Sequence, residues 1–168
     1  LQAEDYRKFC GTAPQLMVFG MREALDMIFE EGLENIYERH RVLAEATHAA
    51  VEVWSQAGTL SLNAIEPKER STAVTTILTD EGVDANMIRD VCRDEMMVGL
   101  GGGLGNLAGR AFRVGHMGDM NAPMLFAALA SIEATFRYLD IKFAPGGVTA
   151  AIEHVAQSKK VGTGPFSY

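Results

Sequence analysis

The stretch from Gly99 to Asn121, GLGGGLGNLAGRAFRVGHMGDMN, holds six of the chain's 17 glycines within eleven residues and then turns into the apolar run Ala111-Phe112-Arg113-Val114-Gly115-His116. That run reads as a β-strand with a guanidinium in its middle. A charge on an otherwise apolar strand is costly unless something pairs it, and the planar fork of arginine suits a bidentate carboxylate. Two partners fit. One is an internal acid such as Asp119, the simpler expectation; the other is the carboxylate of a substrate. The glycines before the strand also allow two readings, a turn between strands or a backbone that comes close to a ligand. Gly103-Leu104-Gly105-Asn106-Leu107-Ala108 satisfies a loose dinucleotide fingerprint, but that fingerprint requires a helix to follow. Here a strand-like run follows instead.

Outward from this block, the order of elements predicts an α+β layout, a small mixed or antiparallel sheet with helices packed on one face. The segment from Pro14 to Gly32 reads as a helix with Thr12 as its N-cap. Its first half, with Leu16, Met17, Val18, Phe19 and Met21, is apolar around much of its circumference and therefore needs covering on more than one side. Leu33 to Ala57 reads as a longer half-buried helix closed by Gly58. Leu60 to Ile65, Thr72 to Leu78, Met96 to Leu100 and the run from Ala111 read as four strands. Asp84 caps a short helix before the third strand, Asp119 or Asn121 caps APMLFAALASIEATFRYL, and Pro145-Gly146-Gly147 precedes a last short helix.

Composition narrows the chemistry. The chain has 168 residues, 48% of them apolar, with 15 basic and 22 acidic side chains and a net charge of −7. This is enough for one core and too acidic for a nucleic-acid binder, which needs clustered Lys and Arg. No apolar run approaches the length of a bilayer span and no export signal is visible, so the expectation is a cytoplasmic protein away from membranes. Cys10 and Cys92 show no disulfide or zinc spacing and read as buried thiols. No metal-binding pattern is found. His116 reads as a satisfied structural group, and His40, His48 and His154 as solvent-facing. No Ser-His-Asp arrangement, carboxylate pair or P-loop is present.

Three blocks in their order, GTAPQLMVFGMREALDMIFEEGLENIYERH (residues 11–40), GLGGGLGNLAGRAFRVGHMGD (residues 99–119) and MLFAALASIEA (residues 124–134), resemble the C-terminal portion of the class V aminotransferases that depend on pyridoxal 5'-phosphate. The similarity is to the serine:glyoxylate and alanine:glyoxylate branch. The resemblance implies a connecting segment and inter-domain helix over residues 1–31 and a C-terminal small domain over 32–168. It implies that Arg113 holds the α-carboxylate of amino acid and 2-oxo acid substrates, with Gly101, Gly102 and Gly103 shaping the substrate side. Thr12 would reach the cofactor phosphate of the neighbouring subunit in a homodimer.

Two departures accompany the resemblance. Phe9 stands where the family often carries a tyrosine. The Schiff-base lysine is expected upstream, in a large domain that the doubly apolar first helix would pack against. Lys8 stands too near the first block, and Lys68, Lys142, Lys159 and Lys160 all follow it. The expectation is therefore a piece of a longer enzyme, inactive alone; the alternative is a non-catalytic binding or dimerisation module that keeps the fold.

Overall fold

The computed structural model describes residues 12–158. Cys10, Phe9, Lys8, Lys159 and Lys160 lie outside them. The described chain divides into two compact units, residues 12–36 and residues 37–158.

In the first unit the chain enters helix α1, Gln15–Glu31, through Pro14, with no side chain bonded to the helix's first amides. The cap expected at Thr12 is thus displaced: Pro14, lacking an N–H of its own, occupies the turn where a side-chain oxygen would have reached back. None of the residues of α1 is buried. Leu16, Phe19 and Phe29 are 86%, 67% and 69% exposed, a large apolar surface left in water. Gly32, at φ +85°, closes the helix and returns its N–H to the Ile28 carbonyl at 2.9 Å.

The second unit is built on helix α2, Leu33–Trp54, from Tyr37 onward, followed by strands β1, Leu60–Leu62, and β2, Val74–Thr79. Helix α3, Ala85–Asp94, strands β3, Gly101–Gly102, and β4, Ala111–Gly115, and helices α4, Ala122–Tyr138, and α5, Gly147–Gln157, complete it. The sheet has the order β1-β2-β4-β3 and every pairing is antiparallel. One face carries Ile77, Phe112 and Val114 into a core shared with Leu43, Ala50, Trp54, Ile88, Leu125, Leu129 and Phe136. The α+β expectation therefore holds, with the helices on one face.

Local chemistry explains where the elements stop. Asp84 caps α3 by accepting from the Asn86 N–H at 2.8 Å, and Asn121, rather than Asp119, caps α4 by accepting from the Met124 N–H at 3.0 Å. β2 starts at Val74 instead of Thr72 because the Ser71 hydroxyl accepts from the Ala73 N–H at 3.0 Å, bending the chain first. The strand expected over Met96–Leu100 is absent. After α3 the Val98 N–H returns to the Cys92 carbonyl at 3.0 Å and Met97 sits at φ +57°. The chain is still turning there, so only Gly101 and Gly102 reach register with β4.

The helices are joined at Trp54, which is fully buried and donates from Nε1 to Glu133 Oε1 at 2.8 Å. The same oxygen accepts from the Val148 N–H at 3.1 Å, so one carboxylate ties α2, α4 and α5 together. Gly147 leaves room for the indole, since a Cβ there would fall 2.1 Å from Trp54 Nε1. Gly147→Ala should therefore cost about 1–3 kcal/mol or more of unfolding free energy in urea titration. An unchanged midpoint would show that the indole can shift without loss.

Candidate functional site

β4 alternates its side chains across the sheet, sending Phe112 and Val114 into the core and Arg113 to the opposite face. On that face Arg113 lies between Thr76 of β2 and Gly101 of β3. The side chain is half-buried, and Nε donates to the Gly102 carbonyl oxygen at 2.8 Å. Gly101 makes the approach possible, because a Cβ there would sit 3.2 Å from Arg113 Nε. No described carboxylate lies within ion-pairing distance of this guanidinium. The simpler expectation, a salt bridge to Asp119, is thereby corrected. Asp119 is exposed in the turn after the strand, and that turn is held by other groups.

Those groups come from the start of α2. Arg39 Nη1 donates to the carbonyls of Gly118 and Met120 at 2.7 and 2.8 Å, and His40 Nε2 accepts from the Gly118 N–H at 3.1 Å. Gly118, at φ +83°, turns where a side chain would be strained. Asp119 is consequently carried away from the strand.

The glycine stretch resolves into distinct roles. Gly103 is required by its own backbone: a Cβ would lie 2.0 Å from the Leu107 carbonyl oxygen, and its N–H bonds the Ala111 carbonyl at 2.9 Å. After Gly105 come one turn of 3-10 helix, Gly105–Leu107, and then β4, so no helix N-terminus is offered to a pyrophosphate. The dinucleotide pattern is a coincidence of glycine spacing. Gly102 faces the other way from Gly101, toward Arg89 of α3. Sequence reasoning passed over Arg89, although Ala85, Ile88, Arg89 and Cys92 fall on one helical stripe, and a cation there is the kind of anomaly that Arg113 presented on its strand.

His116 is structural, as expected. It is fully buried, with Nδ1 3.1 Å from the Thr72 carbonyl and Nε2 2.9 Å from the Thr75 hydroxyl. The carbonyl can only accept, so the proton sits on Nδ1 and Nε2 accepts from the hydroxyl. The other histidines are not solvent-facing. His48 is 8% exposed, and burial, followed by the Arg70 charge, pushes its pKa down. His154 is half-buried beside Glu45 at 3.2 Å. Both line a cleft of about 430 Å³ along α2, where Arg70 is already paired with Glu52 at 2.6 Å. Cys92 is buried, which pushes its thiol up and makes it a poor nucleophile. Thr12 is exposed, as are Lys68 and Lys142. No group of described side chains could hold a metal ion, and no described helix is long and apolar enough to cross a membrane.

Burial holds the His116 pKa down at about 4, against 6.5 for a free imidazole. The unfolded chain thus takes up a proton that the folded chain resists, and stability present above about pH 6.5 is lost as the pH falls toward 4. The loss attributable to this residue should be roughly 3 kcal/mol over that window. It is measured as the difference in urea unfolding between the protein and His116→Gln. Parallel pH profiles would show that His116 is not held neutral.

The sequence and the fold have counterparts among known proteins. The chain is 43% identical over 162 residues to the serine–glyoxylate aminotransferase of Methylorubrum extorquens, covering 92% of this chain and 39% of that protein. It is 38% identical over 157 residues to the serine–glyoxylate aminotransferase of Arabidopsis thaliana, covering 88% of this chain and 38% of that one. Among solved structures, the ureidoglycine–glyoxylate aminotransferase of Bacillus subtilis superposes with a TM-score of 0.74 at 27% identity, covering 83% of this chain and 35% of the other. The alanine–glyoxylate aminotransferase of Nostoc sp. does so with a TM-score of 0.66 at 34% identity, covering 75% and 32%. No protein-family model matches the chain. The chain spans at most 39% of the length of these relatives. In sequence and in fold, the chain is similar to part of the serine–glyoxylate and alanine–glyoxylate aminotransferases, consistent with a C-terminal portion of a class V aminotransferase.

Proposed function

We propose that this chain is the substrate-carboxylate half of a pyridoxal-phosphate-dependent aminotransferase that moves an amino group from a serine- or alanine-type donor to glyoxylate or a similar 2-oxo acid. Residues 1–31 form the connecting segment and inter-domain helix, and residues 32–168 the small domain. A large domain elsewhere in the protein supplies the lysine. The observation that carries the reading is the state of Arg113: a half-buried guanidinium, oriented by the Gly102 carbonyl, with no described carboxylate to neutralise it. Both amino acid donors and 2-oxo acid acceptors bring that carboxylate.

The bond from Nε to Gly102 leaves the two terminal nitrogens to face an incoming ligand. Two parallel charge-assisted bonds fix the plane of a carboxylate as well as its position. Cα is then oriented before reaction, so that orientation entropy is lost on binding rather than in the transition state. Bareness at Gly101 lets the guanidinium lie against the sheet, and Gly102 contributes through its carbonyl, with Gly103 holding the turn that follows.

The residues near α1 fit a phosphate. Thr12 offers an exposed hydroxyl, and the first turn of α1 has no side-chain cap on its amides. Such a turn favours an anion. In a homodimer these groups would meet the cofactor phosphate of the partner subunit. The exposed apolar side chains of α1 are the surface that the large domain would cover. When bound, pyridoxal phosphate supplies an electron sink for the bond broken at Cα.

Arg113→Ala in the full-length protein should lower kcat/KM for the amino acid by the equivalent of about 2–4 kcal/mol, mostly through a raised KM. An unchanged kcat/KM would contradict the assignment of the carboxylate to Arg113.

A further inference from the structure

We propose that Arg89 is a positioning residue for the Arg113 fork, acting through the two-glycine strand β3 that lies between the two guanidinium groups. The inference rests on the reading of Arg113 as the carboxylate-binding group.

β3 is the weakest element of the sheet. It is two residues long, stands at the edge, has a single neighbour in β4, and carries no side chains. Glycine backbone of this kind gives up the most conformational freedom on ordering. Yet its Gly102 carbonyl is the group that orients Arg113, at 2.8 Å from Nε. If the strand moves, so does the fork. Something other than packing must hold it.

Arg89 supplies that hold from the helical side. Its Nε donates to the Leu100 carbonyl at 3.2 Å, at the point where the chain enters β3, and its Nη1 donates to Asn86 Oδ1 at 3.1 Å, one turn back along α3. Asn86 is itself anchored by its N–H to the Asp84 cap. The two glycines are bare on opposite sides, each where a guanidinium approaches. A Cβ at Gly101 would meet Arg113 Nε at 3.2 Å, and a Cβ at Gly102 would meet Arg89 Cζ at 3.0 Å. Arg89 is half-buried, and no described carboxylate lies within ion-pairing distance of it. A salt bridge therefore does not account for a charge on this stripe of α3, whereas the bond to the strand does.

The test uses the full-length protein, with KM and kcat for the amino acid and the melting temperature read for each variant. Arg89→Met should raise KM about fivefold to tenfold with kcat changed less than about twofold, and Arg89→Lys, which can still donate to Leu100, should recover most of the loss. In an Arg113→Ala background Arg89→Met should add nothing. Gly102→Ala, which pushes on the Arg89 guanidinium, should raise KM in the native background and have no effect beside Arg89→Met; if Arg89→Met fails to fold, Arg89→Lys and Arg89→Gln carry the test, with KM near native for the first, raised for the second, and neither changing KM in an Arg113→Ala background. An unchanged KM in Arg89→Met, or an equal rise with and without Arg113, would overturn the proposal even if Arg113→Ala itself raises KM. An Arg113→Ala variant with native KM would instead remove the carboxylate reading, and this inference with it.

Discussion

One hydrogen bond organises the candidate site, the 2.8 Å contact from Arg113 Nε to the Gly102 carbonyl. A free arginine side chain samples many rotamers, and ordering it costs free energy that a ligand would otherwise have to supply. Here the antiparallel pairing of β4 with β3 sets the carbonyl opposite the side chain before any ligand arrives. The core helices lie on the other side of the sheet, so the fork faces away from the hydrophobic interior. The preorganisation is a property of strand register, and it survives only while two glycines keep that register.

The rest of the second unit serves this arrangement. Phe112 and Val114 alternate with Arg113 and anchor β4 from beneath, packed with Phe136, Ile88 and the remainder of the core. His116 fastens the far end of β4 to the start of β2 through Thr72 and Thr75. Arg39 and His40 then hold the following turn and carry Asp119 clear of the guanidinium. Among the described residues the cation is left without a carboxylate partner, because the backbone of the turn, rather than its acid, is what α2 binds.

The helices and the core were largely legible in the residues. Capping by Asp84 and Asn121, the glycine stops, and the apolar alternation of β4 are local chemistry, written within a few residues of where they act. What stayed illegible depends on contacts distant in sequence. Whether Arg113 pairs with Asp119 turns on residues 39 and 40, nearly eighty positions away. The strand expected at Met96 to Leu100 has suitable apolar residues, and loses to the way the chain leaves α3. His48 and His154 read as polar positions on helices, and are enclosed because the two helices and the loop at Arg70 meet there. Arg89 is a different case, since Ala85, Ile88, Arg89 and Cys92 recur at helical spacing in the residues, whereas its partner, a backbone carbonyl, leaves no mark there.

The central claim is that the charge of Arg113 is reserved for an anion from outside the chain. A crystal structure of the full-length protein with a bound 2-oxo acid or unreactive amino acid analogue tests it most directly. The account predicts both carboxylate oxygens against the terminal nitrogens of Arg113, with Nε still on Gly102. A carboxylate of the protein on those nitrogens, or a ligand whose own carboxylate is held elsewhere, would contradict it.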